Sequence, residues 1–429
     1  MFNRIPIKKV RLGLIALICL LAAALLPAMA IGRPKVAPAA QAGTVICTTG
    51  PTFNLETKTG HIQTPDGNSI FMWTYANADT GGNFQFTSPV LCVTQGVTVT
   101  VNLTNNLPVT TSIVFPGQTG VGATGDVSGL FTEEAAACVG VACTPGTASY
   151  TFVAEEPGTY LYESGTVPHQ QVQMGLFGAL IVRPAGFPNQ AYADPSTKFD
   201  PTQEHLVLIS DLDPGLHQAV ERNETYDITT KHDHYWFVNG RSFPDSIADS
   251  NVPWLPSQPY GALVRIEATD PTDPTPPDPA LIRYVNAGME NHPFHPHGNH
   301  MRVIGRDGRL LSLPFENFNT TIGSGQTYDL LFRWINVEQW TPGGNGDISV
   351  QITYPGLLNL VFKDGLSYFS GDPDLGVRAD FPSDTTILNE CGEFYFPWHS
   401  HALNEFQNFD EGFGGLATLV RVDPPGGCP

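Results

Sequence analysis

The chain is cut into short pieces. Its 43 glycines and 37 prolines leave little room for long helices, because proline removes a backbone donor and glycine gives up the most conformational freedom on ordering. Between these breaks lie brief runs rich in β-branched and aromatic residues, at 97–103, 148–152, 178–182, 205–210, 263–267 and 281–286. Short strands separated by Gly, Pro, Asn and Asp turns are the pattern of an all-β sandwich or barrel.

The first thirty residues stand apart from that pattern. Arg4, Lys8, Lys9 and Arg11 precede an apolar stretch at 12–26, and Ala28-Met29-Ala30 follows it. A basic start, an apolar middle and a small-x-small site make residues 1–30 an expected secretory signal. An uncleaved anchor is the competing reading, which the Ala-x-Ala site and the polar, Pro-rich continuation disfavour. The expected location is secreted or periplasmic, with no membrane contact after cleavage. Of the seven cysteines, Cys19 would leave with the leader, and Cys47, Cys92, Cys138, Cys143, Cys391 and Cys428 would remain. An even number in an oxidising compartment favours disulfides. Cys138 and Cys143 bracket a short Gly-containing loop and are expected to pair. Cys47–Cys92 and Cys391–Cys428 then remain, a connectivity that sequence does not fix. A net charge of -20 argues against nucleic acid or an anionic membrane as partner and suits cations. The acidic residues are dispersed, as on a solvated surface.

Two blocks follow the leader. One spans 44–184 and closes with Gly175-Leu176-Phe177-Gly178-Ala179-Leu180-Ile181-Val182; the other spans 205–429 and closes with Gly414-Gly415-Leu416-Ala417-Thr418-Leu419-Val420. That echo reads as two copies of one domain type, joined by a linker at 185–204. A Pro-rich loop is expected at 270–279 and an insertion at 336–384.

Six of the twelve histidines fall in two clusters, His292, His295, His297 and His300 in the first and His399 and His401 in the second. In a strand, residues two apart share a face. His295 projects with His297, and His399 with His401. Two such pairs on neighbouring strands would gather four imidazoles, a set suited to copper, zinc or another borderline metal. A relic scaffold is the competing reading.

The run His292-Pro293-Phe294-His295-Pro296-His297-Gly298 resembles the third copper motif of multicopper oxidases, and Trp398-His399-Ser400-His401 resembles the fourth. The segments 89–93, 105–108, 158–162, 237–244 and 321–329 extend the likeness in family order. The resemblance implies an all-β fold of two cupredoxin-like Greek-key sandwich or barrel domains, with copper as cofactor. It also implies departures. The family's fourth motif carries a cysteine thiolate for the blue type 1 copper, where this chain has Ser400. The second type 1 histidine falls near Asn404 or Glu405, so His292 alone is left of that set. The first domain should supply two further His-x-His pairs, yet residues 112–117 hold no histidine, and Glu163 and Gly165 stand where the second pair would be; His169 is near but off register.

What remains as a candidate metal-ligand set is His295, His297, His399 and His401, with His292 as the surviving type 1 ligand and Glu163 facing them if the domains pack as in the family. His300 is expected nearby in a supporting role. The set implies one or two copper ions, with Zn or Mn as alternatives. Three functions stay open: an oxidoreductase acting directly on a metal ion or small-molecule reductant, a non-catalytic copper-handling protein, and a structural scaffold. A homotrimer with metal between subunits is the assembly the resemblance implies.

Overall fold

The structure, a computed structural model, describes residues 44–269, 274–335, 394–409, 411–412 and 414–423. The leader, Cys391, Cys428, the insertion at 336–384 and part of the 270–279 loop lie outside the described residues. No described helix is long and apolar enough to cross a membrane.

Strands dominate, and each expected run forms one: Thr98–Asn105, Gly146–Val153, Phe177–Arg183, Glu204–Leu212, Val264–Glu267 and Ala280–Asn286. Their sequence explains their place. Thr98–Asn105 alternates buried and half-exposed residues, the signature of a strand with one face on a core. Glu204–Leu212 is buried throughout because both of its faces are covered.

Four main sheets result. The first half of the chain pairs a four-stranded sheet, Cys47–Thr49, Val90–Thr94, Phe177–Arg183 and Gly158–Glu163, with a five-stranded one built around Thr52–Gln63 and Thr98–Asn105. Between them pack Phe53, Tyr75, Val101, Phe115, Tyr150 and Leu180. The second half pairs a six-stranded sheet centred on Ala280–Asn286 with a five-stranded one that runs Val264–Glu267, Ala417–Asp423, Phe394–Ser400, His292–Pro296, Thr320–Ile322. Its core holds Trp236, Tyr284, Phe294, Phe332 and Trp398.

The two sandwiches meet through a third apolar cluster in which Leu161, Phe177 and Ile181 touch Leu208, Phe237 and Val285. Beside it lies a buried ionic knot. Arg283 binds Glu204 at 2.7 Å and Asp329 at 3.0 Å, Arg183 reaches Glu204 at 2.6 Å, and Tyr192 donates to Asp329 at 2.6 Å. The stretch expected as a linker is not a free tether: its Ala191, Tyr192 and Phe199 bury against Leu281, Ile304 and Leu331. Two of the expected disulfides are present, Cys47–Cys92 and Cys138–Cys143.

Candidate metal centre

His295 and His399 are directly opposed across antiparallel strands. His297 continues the first strand, its N–H donating to Pro397 O at 3.1 Å, and His401 follows the second, donating to Pro293 O at 2.7 Å. The alternation of the strand buries Phe396, Trp398 and Ser400 on the opposite face. Trp398 also donates its Nε1–H to His297 O at 3.1 Å.

The four rings converge. Centroids lie 4.7 Å apart for His295 and His297, 5.2 Å for His297 and His399, 5.3 Å for His295 and His401, and 5.9 Å for His399 and His401. His295 Nδ1 donates to Phe318 O at 2.5 Å and His399 Nδ1 to Ser400 O at 2.7 Å. Those bonds fix the tautomer and leave Nε2 lone pairs pointing inward, the arrangement that orients metal-ligating histidines. His297 Nε2 and His399 Nε2 stand 3.2 Å apart. Two imidazoles on a tetrahedral ion, each about 2.0–2.1 Å from it, hold nearly that spacing. Among the described residues no group of three or more His, Cys, Asp or Glu is placed to hold a metal ion; His297 and His399 are the two whose ring nitrogens come together.

Electrostatics disfavours the charged form of His297 and His399. Burial, then the neighbouring imidazoles, pushes His297 down to about 4. Burial and the charges of His295 and His401 lower His399 against the opposing bond to Ser400. Neutral imidazole is the ligating form.

His292 does not join them. It is fully buried, with Nδ1 2.9 Å from Glu405 and Nε2 3.3 Å from Asp211. Burial alone would lower its pKa, but the two carboxylate bonds and charges prevail and raise it to about 9. Burial would likewise raise Asp211, yet His292 and Lys231 hold it below its usual value. The ring is a clamped imidazolium with both nitrogens taken. Ser400 is buried beside it, its hydroxyl accepting from Ala402 N. Where a blue site needs thiolate and imidazole donors, this place holds an ion triad, and the residues do not fit a type 1 copper. Glu405 was visible in sequence as a departure. Asp211 carried no local signal, since only strand pairing brings it alongside.

The first half repeats the frame without the ligands. Val114 bridges Glu163, and Glu163 pairs with Phe177, just as His295 pairs with His399 and His399 with Ala417. Glu163 therefore occupies the position of His399, in the other sandwich. It lines a cavity of about 520 Å³ with Val114, Phe115, Pro116, Phe131 and Gly165. Among the described residues no histidine lines that cavity, and burial alone raises the Glu163 carboxyl to about 7. His169 sits exposed on the short helix Pro168–Gln171. His300 is exposed against Phe318, the residue whose carbonyl anchors His295.

Residues 72–186 match the family model described as multicopper oxidase. That segment, within the first half of the chain, is similar to a multicopper oxidase domain. Its fold is shared with the blue copper oxidase from Nitrosomonas europaea, at 19% identity over 86% of this chain and 85% of that one, TM-score 0.55. A multicopper oxidase named mgLAC matches at 18% identity over 88% and 87%, TM-score 0.55. Fet3p, a multicopper oxidase that functions in iron import, matches at 16% over 87% of this chain and 52% of its own, TM-score 0.51. At these identities the likeness is one of fold, two cupredoxin-like domains. No curated protein matches the chain.

Proposed function

We propose that this multicopper-oxidase-like chain is an exported protein that binds one or two copper ions on His295, His297, His399 and His401, and that any redox chemistry acts directly there on a metal ion or small-molecule reductant. The observation that carries the reading is the inward-facing imidazole cluster, with His297 and His399 Nε2 3.2 Å apart and the other ring nitrogens of His295 and His399 tied to backbone carbonyls. Bound copper would supply an electron acceptor. The protein's part is to disfavour protonation of His297 and His399, fix the tautomers of His295 and His399 and leave the face open, His401 being exposed. Zn or Mn could take the same donors.

The triad at His292 favours a second reading, copper handling without turnover. A relay that begins at a thiolate-bound copper has no counterpart where Ser400 and the Asp211–His292–Glu405 clamp stand. In either reading a homotrimer would be one way for Glu163 to approach the cluster, and pairing of the two domains within one chain another.

Metal retention tests the proposal. His297→Ala combined with His401→Ala should lose the copper that the wild type keeps through dialysis, and Glu163→Gln should lower its affinity only if Glu163 joins the site. A double variant that keeps wild-type stoichiometry would place the metal elsewhere. Oxygen uptake with Cu(I), Mn(II) and phenols then separates turnover from storage.

A further inference from the structure

The cavity in the first sandwich is built where the repeat would place metal ligands, and its chemistry is of another kind. Its walls are Ile113, Val114, Phe115, Pro116, Val121 and Phe131. Glu163 supplies the carboxylate, and among the described residues no lysine, arginine or histidine lines the space. The Glu163 carboxyl has no hydrogen-bond or ion-pair partner among the described residues, and desolvation is the one influence on it. A carboxylate held half out of water without a partner is costly, and a cationic ligand would relieve that cost.

The shape is locally determined. Val114 and Glu163 exchange backbone bonds at 2.8 and 3.1 Å, which fixes the carboxyl at the cavity wall. A Cβ at Gly165 would come within 2.6 Å of Val114 Cγ1, so glycine is what keeps that corner clear. Phe131 stands on the rim with 65% of its surface exposed, large for an aromatic ring that serves only packing. A volume of about 520 Å³ falls within the range of small-molecule sites, which combine apolar walls with a few polar groups that set orientation.

We propose that this cavity is a binding site for a small organic cation, an arylalkyl ammonium whose amine pairs with Glu163 and whose ring packs among Val114, Val121 and Phe131. An aromatic rim suits such a ligand twice, through apolar contact and through attraction of the cation to the ring face. The site is built from residues of one chain, and a second copy that drew Glu163 to its histidines would compete with the amine for it.

Calorimetry on the full, chelator-treated chain decides it, with three probes of one shape: phenethylamine, 2-phenylethanol and phenylacetate. The amine should bind at least about tenfold more tightly than the alcohol, a difference expected for one charge-assisted bond, and the carboxylate should bind weakest. Glu163→Gln should bring the amine down to the level of the alcohol while leaving the alcohol unchanged. Phe131→Ala, a change at an exposed position, should weaken both. Thermal unfolding of each variant confirms that it folds. An amine that binds no better than the alcohol, or equally well to Glu163→Gln, would overturn the assignment.

Discussion

His292 shows how a position inherited as a ligand can be turned into a structural cation. Its two ring N–H groups both donate, to Asp211 and Glu405, which only the protonated ring can do. A pKa raised to about 9, against about 6.5 in an unfolded chain, has a definite sign. The stabilisation is complete below about pH 6.5 and is lost as pH rises through about 9. Denaturation midpoints measured from pH 6 to pH 10 should therefore fall across that window in the wild type, and Glu405→Gln should flatten the fall. A wild-type midpoint that stays level would mean the clamp is not charged. Ser400 makes a second residue-level prediction. Intense blue colour requires a thiolate donor, so copper-loaded protein should lack that absorption. Ser400→Cys alone should not restore it, because Glu405 and Asp211 still occupy the imidazole at His292.

At the scale of the element, the strand Phe394–Ser400 does two jobs by simple alternation. One face offers His399, and the other buries Phe396 and Trp398 against Phe332. The sequence shows this directly, because the period of a strand is two. What it does not show is register, and a slip of one residue would send every histidine into the core. Trp398 pins the register by filling the core and bonding His297 O. Trp398→Ala should cost about 3–5 kcal/mol, as for other large buried aromatics, and should weaken metal binding although Trp398 is no ligand. Denaturant unfolding and copper retention on the same variant check both effects. The strand Gly158–Glu163 follows the same design with Glu163 and, just beyond it, Gly165 where the second half has His399 and His401, and its end faces a cavity with mostly apolar walls.

For the whole molecule, the two sandwiches are joined by apolar contact and by the knot around Arg283. That guanidinium is buried and serves two carboxylates from different strands, Glu204 and Asp329. Removing the cation leaves Glu204 with Arg183 alone and buried Asp329 with only hydroxyl donors, Tyr192 and Thr159. Arg283→Met should cost about 3–5 kcal/mol, the usual penalty for breaking a buried ion pair from one side, read as a lower denaturation midpoint. An unchanged midpoint would show that the domain junction rests on its apolar cluster alone.

Composition and periodicity determined the all-β class, the placing of the strands and the pairing of histidines on one face, because these depend on neighbours one or two residues apart. The echo between 175–182 and 414–420 likewise announced two similar halves, and Ser400 by itself removed the thiolate. Tertiary structure decided the rest. Only folding brings Asp211 from 81 residues away onto His292, opposes His295 and His399 across paired strands, sets His297 and His399 together from 102 residues apart, and sets Glu163 in a cavity of its own sandwich. Such contacts follow from strand order and register, which no local pattern encodes, and so the same residue types read alike in sequence become a cluster of imidazoles, a buried cation and a lone carboxyl in space.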